Sequence, residues 1–530
     1  MISGLALLKL SIALVAMLVL GAEVLRGRRG RDSNRLLLAC AVLAAGAYFA
    51  PGLERGAFVH RWEMFHYYVG AKYHAEVGYE RLYTCVLAVD VADGVQGARE
   101  RRVRDLRTDT LTTGEKLLGS SAPCEESFTP VRWAEFERDV RAFRRQSGSR
   151  RYWEAMGQDH GYNPPPLWTL VGRSLASLAP PTPRTLTLLA SLDVVLMGGA
   201  VLLLAWGFGT RVAMLAVIFW GTQAASDFGW TGGGFLRQDW LFFVLAALAL
   251  LRRGRPFWAG AALAVSGLLR VFPAALAVGL GVLVLRRLLV RREVSTEHRR
   301  LLAGAGVAGA VLVTLTLLAL GPHAYTAFWH HIQLRHLGII SNHMGLRTLF
   351  AFSPAASLGA LSDPALLDPT TPWVLARAAR LASLGIAYRL AAFGIVALTA
   401  FVVWRARTAW LAMALSLPLI VALTEPSCYY YSVWVVALPL TLARPAVGVT
   451  LLGVSAAGQL VGIRFQAYDE RYFALALLYV GSALVLLASF TDSPLARFAR
   501  LQARRARAAQ PGLCDHPTTQ EFRQKLKQAG

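Results

Sequence analysis

Apolar runs recur along almost the whole chain, at about 4–25, 36–53, 185–208, 211–226, 239–251, 301–320, 386–404, 408–424, 430–443, 446–463 and 472–490. A further run leads from Pro256 towards Arg270. Helices of about 20 apolar residues cross a bilayer. The stretch 166–179 is shorter and opens on Pro164, Pro165 and Pro166. Prolines cannot donate backbone hydrogen bonds, so this stretch is expected as a partial or re-entrant element packed against protein. The pattern predicts an all-α, polytopic membrane bundle of about twelve to thirteen transmembrane helices. It also divides the chain. N-terminal transmembrane helices fill 1–53, a long polar segment 54–164, a transmembrane core 165–492 and a basic tail 493–530.

Positive charge orients these runs. Arg26, Arg28, Arg29, Arg31 and Arg35 follow the first, Arg252, Arg253 and Arg255 a later one, then Arg286, Arg287, Arg291 and Arg292, then Arg405 and Arg407. Arginine marks cytoplasmic turns, which leaves the N-terminus and 54–164 outside. The first run is read as a retained anchor, because its only early cation is Lys9 and no small-residue cleavage site stands out. The net charge of +23 is thereby explained by topology, and no nucleic-acid partner is expected. With 55% hydrophobic and 16% charged residues and a mean hydropathy of +0.44, this is no soluble globular chain.

The segment 54–164 is too long and too charged for a simple connector. Within it, Arg132 to Tyr152 carries Trp133, Phe136, Val140 and Phe143 at helical spacing, which predicts a surface helix of a cap over the outer mouth. Residues 90–122 lack periodicity and read as loop. Cys85 and Cys124 both fall here, where a disulfide is chemically allowed, although sequence cannot supply the geometry. Cys40 lies in a predicted span and Cys514 in the tail. No cysteine spacing supports a metal-thiolate site.

The chemistry concentrates at 62–83, WEMFHYYVGAKYHAEVGYERLY. Glu63 stands ten residues after Leu53 and is followed by Phe65, Tyr67, Tyr68, Tyr73, Tyr79 and Tyr83. A carboxylate at the wet edge of a bundle, backed by aromatics, suits general-base work on a polar acceptor beside a lipid-borne substrate.

Five stretches, in order, resemble the GT-C glycosyltransferases of family 87. Glu63 with Tyr67–Tyr68, Ala71, Gly78 and Leu82–Tyr83 is similar to that family's first outer-loop pattern. Tyr162–Pro166 with Leu167–Trp168 resembles its Tyr-x-Pro-Pro helix start. Arg237–Gln238–Asp239–Trp240 occupies the place of its Gly-Gln-x-Asn turn. Ala259–Gly260 through Arg270–Val271–Phe272–Pro273 resembles its Ala-Gly…Lys-Pro-x-Pro helix pair, and Ser341–Gly345 its Asn-rich outer turn. The likeness covers about 55–440. Glu63 stands where the family has Asp and Arg270 where it has Lys, only Gln238 is kept of the glutamine turn, and 84–160 looks like an insertion.

The resemblance implies a membrane enzyme with its active site on the extracytoplasmic face. It would move a hexose, mannose first, from a polyprenyl-phosphate-sugar donor to a glycolipid, glycan or protein hydroxyl by inverting displacement. Its partners would be that donor, the acceptor and membrane lipids, with no cofactor. Such a transfer needs a base for the acceptor proton and cations for the leaving phosphate. Glu63 is the expected base. Arg270, about 21 Å along a helix from Pro256, is the expected phosphate ligand, since a cation at that depth requires a partner. Lys72 is placed to reach the donor phosphate or to pair with Glu76, its i+4 neighbour. Tyr67, Tyr68 and Gln238 join the substrate set through their motifs.

Asp159 and His160, just ahead of the prolines, serve either to orient the acceptor or to cap a helix. His323, His330, His331, His336 and His343, with Arg335 and Arg347, form a polar cluster before the next span. With Asn342 they offer a phosphate and sugar contact surface. No paired spacing singles out metal ligands among them, and no metal is expected. Glu425 and Tyr429–Tyr431 sit at another outer helix end, where aromatic belts are ordinary. Two rival classes stay open. A transporter or flippase would need ionisable residues along a path and two matching halves, and no internal repeat is visible. A non-catalytic scaffold would tolerate loss of Glu63 and Arg270.

Overall fold

The computed structural model of the protein describes residues 4–53, 58–336 and 340–491, except for the side chains of 335 and 336. The basic tail and Cys514 lie outside the described residues. The chain is an all-helical polytopic bundle, 75% helical. Among the described residues the only sheet is a hairpin pairing Arg102–Asp105 with Thr110–Thr113.

Eight helices are long and apolar enough to cross a membrane: Gly4–Arg26, Ser33–Leu53, Pro183–Phe208, Phe272–Arg291, Thr296–Leu320, Gly385–Trp404, Ala446–Arg464 and Tyr468–Phe490. The expected count of about twelve to thirteen is reached only by adding shorter elements. Thr210–Thr222 and Asp239–Arg252 have 13 and 14 residues. At 1.5 Å per residue they extend about 20 Å, short of a hydrocarbon core of about 30 Å. Their side chains are largely buried against neighbouring helices, so their hydrophobicity is that of a protein interior. Cys428–Leu442 differs again. It is a 3₁₀ helix of 15 residues, and its rise of about 2.0 Å per residue brings its length close to that of the core. The stretch after the three prolines is the 11-residue helix Pro166–Ala176, with Pro166 in its first turn, too short to cross.

Small residues set how closely these helices approach. A Cβ on Gly260 would overlap the Leu301 carbonyl, and one on Gly304 the Phe257 carbonyl. Backbone contact of this kind is how membrane helices gain packing where burial from water no longer drives them together. Helix Pro256–Leu269 is thereby locked on Thr296–Leu320, which fixes where the first delivers Arg270.

The segment 58–164 folds over one end of the bundle. The predicted surface helix is two: Pro130–Gln146, capped by the Thr129 hydroxyl, and Arg150–Met156, capped by Ser149. They part at Gly148, whose φ of +79° favours glycine. Phe136, Val140 and Phe143 are buried as the spacing predicted, with Trp133 packed at their edge. The expected loop at 90–122 is instead largely built, from the end of helix Leu82–Ala92, the hairpin and helix Gly114–Gly119. Local periodicity missed it because its order comes from distant partners. Asp90, fully buried, takes Arg101 at 2.7 Å, Arg144 at 2.6 Å and the Trp153 indole at 2.8 Å. Cys85 and Cys124 are disulfide-bonded, tying helix Leu82–Ala92 to the connection between helices Gly114–Gly119 and Pro130–Gln146.

Candidate active site

Helix Arg61–Met64 carries Glu63 in its first turn, and His60 Nδ1 accepts from the Glu63 N–H at 3.3 Å. His60 is itself placed by the bundle, since its N–H donates to the Gly233 carbonyl at 2.9 Å. A Cβ on Gly233, φ +66°, would collide with the Phe58 carbonyl, so this close approach requires glycine. Directly after Glu63 the chain widens into a π-helical turn, Phe65–Val69. Such turns recur at functional sites because the extra residue re-aims the side chains that follow. Here it divides the aromatic run. His66 and Tyr67 face a cleft with Glu63, while Phe65 and Tyr68 pack into the cap against Phe143.

The cleft holds about 850 Å³. Glu63, Tyr67, Asp159, His160, Asn342 and Tyr429 are among its walls. Beneath the Glu63 carboxylate lies Arg237, only 2% exposed, with Nη1 at 3.3 Å from Glu63 Oε2. The guanidinium is held between rings, 4.8 Å from the centroid of Tyr67 and 4.5 Å from that of Tyr429, and it donates to the Tyr67 hydroxyl. Stacking on aromatic faces is a geometry that suits arginine. Its Nη2 has no hydrogen-bond partner among the described residues.

Asp193, buried in the spanning helix Pro183–Phe208, explains how Arg237 comes to be there. Its two carboxylate oxygens accept the backbone N–H groups of Arg237 and Gln238, each at 2.9 Å. This turn ahead of helix Asp239–Arg252 is thereby fastened to a neighbouring helix. Arg270 ends helix Pro256–Leu269 in extended backbone and turns inward, 5.5 Å from the Trp168 ring and 5.9 Å from that of Tyr67. Its Nη1 donates to the Leu269 carbonyl at 2.7 Å, whereas Nε and Nη2 are buried with no hydrogen-bond partner among the described residues. Gln238 Oε1 and Asp239 Oδ2 are likewise unmatched among the described residues. Buried polar atoms are ordinarily satisfied, so this set of open donors and acceptors behind Tyr67 is exceptional.

The other sequence candidates divide. Asp159 lines the cleft and takes the Trp62 indole N–H at 2.5 Å and the His160 N–H at 2.7 Å. Burial pushes its carboxyl up, but His66, His160 and those donors outweigh it and hold it below the usual carboxylate range. His160 is turned to Asp109 at 2.9 Å. Asn342 reaches the cleft because its segment pairs with the next loop, through the Cys428 N–H on its carbonyl and a bridge from His343 to Ser427. Behind it, Arg347 Nη1 meets Glu425 at 2.9 Å and His343 lies 4.0 Å from the same carboxylate.

Three expectations change. Lys72 lies outside the cleft and does not pair with Glu76. Its ammonium is 2.8 Å from both Glu135 and Asp139, and Glu76 instead holds Arg132 at 2.7 Å. Nine positions (72 − 63 = 9) are about two and a half helical turns, so the spacing itself sets Lys72 away from the face of Glu63, and its ammonium turns to the cap helix instead. Tyr68 donates to the Ala179 carbonyl at 2.5 Å, also away from the cleft. The histidines form no common surface. His331 is buried and stacked on Tyr79 beside Asn163, while His323 and His330 are exposed. The side chains of Arg335 and His336 lie outside the described residues. No group of three or more His, Cys, Asp or Glu is arranged to hold a metal ion among the described residues.

Arg237 and Asp193 were missed as site residues by sequence reasoning. Their signal was available: both are ionisable groups within or beside apolar runs, and such positions are functional by default. The motif comparison drew attention to Gln238 instead. Comparison with protein-family models, curated proteins and solved structures finds no match to this chain.

Proposed function

We propose that the protein is an integral membrane glycosyltransferase that moves a hexose, with mannose the leading choice, from a polyprenyl-phosphate-sugar to a glycolipid, glycan or protein hydroxyl on the extracytoplasmic face. One observation carries this reading: a cleft-lining carboxylate, Glu63, stands 3.3 Å from a buried arginine, with a second arginine beyond it. The acceptor oxygen attacks the anomeric carbon and the bond from that carbon to the phosphate oxygen breaks. The hydroxyl proton goes to Glu63, and the polyprenyl phosphate leaves with the bonding pair. Arg237 Nη2 and Arg270 Nε and Nη2 have unclaimed donors for that phosphate, where preorganised cations act most strongly. As Arg237 turns to phosphate, Glu63 loses its ion-pair partner and its lone pairs become available to the hydroxyl. Asp159 is less suited to be the base, because Trp62 and His160 already occupy its oxygens.

The test is sugar transfer by nanodisc-reconstituted protein given radiolabelled polyprenyl-phosphate-mannose and a membrane lipid extract, wild type beside Glu63→Gln. Product in the wild type and a loss of about 10²–10⁴-fold in the variant is the expected result. Equal product in both removes Glu63 from the chemistry, and no product in either with several donor sugars removes the transferase reading.

A further inference from the structure

A second groove lies on the cap, away from the cleft, and holds about 870 Å³. One wall is a single face of helix Pro130–Gln146, presenting Glu135, Arg138, Asp139, Ala142, Arg145 and Gln146 at spacings of three and four residues. The opposite wall is the connection 177–183, which leads directly into the membrane-spanning helix Pro183–Phe208. Gln146 Nε2 on the Pro181 carbonyl at 2.7 Å pins the two walls together, and the Tyr68 hydroxyl on the Ala179 carbonyl fastens the second wall to the π-turn.

The charges in this groove do not cancel. Asp139 and Glu135 are committed to Lys72, which is 3% exposed and closes the floor. Arg141 is committed to Asp93 at 2.7 Å and to Glu137. Arg138 and Arg145 are exposed, and neither has a hydrogen bond or ion pair among the described residues. They flank the small side chain of Ala142 on the same wall. Across from them Leu178 is 78% exposed at the head of the spanning helix. The groove therefore offers two free guanidinium groups on one wall and an apolar lip on the other, at the level where that helix enters the bilayer.

We infer that this groove docks an anionic phospholipid headgroup of the adjoining leaflet. Arginine pairs with phosphate oxygens in two-pronged contacts, and basic residues near a membrane surface attract anionic lipid with a strength that grows with each cation. The exposed Leu178 and prolyl wall would meet the glycerol and upper acyl region of the same molecule. A free phosphate would use the arginines and gain nothing from the lip. The inference does not rest on the transferase reading.

Native mass spectrometry of the full chain, released from nanodiscs of phosphatidylcholine with a minor share of phosphatidylglycerol, reads this directly. Wild type should retain phosphatidylglycerol preferentially, and Arg138→Gln with Arg145→Gln should reduce that retention about tenfold. Both residues are exposed, so the fold should survive, which the melting temperature checks. Arg99→Gln with Arg151→Gln removes equal charge from exposed positions of the cap outside the groove and should leave retention unchanged. Equal retention by wild type and the first variant overturns the inference. So does an equal loss in both variants, which would mean unspecific attraction. Displacement of the lipid by soluble glycerol phosphate overturns the lipid as occupant.

Discussion

Arg237 and Glu63 meet 3.3 Å apart although 174 positions separate them in the chain (237 − 63 = 174), and one of the pair is almost fully buried. A buried pair gains less than its Coulomb attraction suggests, because both ions were first taken from water. Breaking it is costly, since the survivor is left charged and alone. Glu63→Gln, which leaves the buried Arg237 charged, should therefore destabilise the protein by about 3 kcal/mol or more, and Glu63→Gln/Arg237→Gln should recover part of that loss. Thermal unfolding of the four species in one detergent gives the cycle. Additive effects would show that the two side chains do not interact.

Asp193 fastens the turn that presents Arg237, accepting two backbone N–H groups at 2.9 Å each. Asp193→Ala leaves two buried donors unmatched, each costing about 1–3 kcal/mol. Asp193→Asn keeps the shape and one or both acceptor contacts through a single oxygen. A melting temperature that falls markedly for alanine and mildly for asparagine is expected. Equal small changes would mean that other contacts hold the turn.

Much of this architecture was legible in the sequence and some was not, for physical reasons. Runs such as 4–25 and 472–490 announced their helices because lipid-facing surface must be apolar throughout its length. Runs such as 239–251 read the same way, yet belong to helices buried by protein, a distinction composition does not carry. The cap helix over Arg132–Tyr152 followed from its stripe, while the hairpin at 102–113 depends on long-range ion pairs at Asp90 that no local pattern encodes. Glu63 was found from its aromatic surroundings. Its partner Arg237 was not, because the two lie far apart in the chain, and Lys72 was misplaced because its partners Glu135 and Asp139 come from a distant cap helix.

The Cys85–Cys124 bond closes a loop over a sequence separation of 39, joining helix Leu82–Ala92 to the cap. Constraining the unfolded chain in this way is worth about 2–4 kcal/mol. The spanning helices do not share that loop, so Cys85→Ser/Cys124→Ser should loosen the cap first. Limited proteolysis is expected to cut between residues 94 and 130 in the variant well before it cuts wild type. Identical digestion patterns would show that the ion pairs at Asp90 suffice.

Two histidines outside the spanning helices make stability sensitive to acid. His74 is pushed down to about 4 by burial and by Arg173, and His343 to about 4 chiefly by burial, against the pull of Glu425 and with His160, Arg347 and Arg377 adding to the push. In the unfolded chain both titrate near 6.5, so between about pH 6.5 and 4 the unfolded state binds the extra protons. The folded state is therefore favoured above that window and loses stability as pH falls through it, by up to about 1.4 kcal/mol per pH unit for each histidine. His74→Gln removes one titrating group while keeping polar atoms beside Tyr79 and Tyr162, the rings that flank it. Its melting temperature should fall less steeply from pH 7 to pH 4.5 than that of wild type. Parallel slopes would assign the acid sensitivity to other groups.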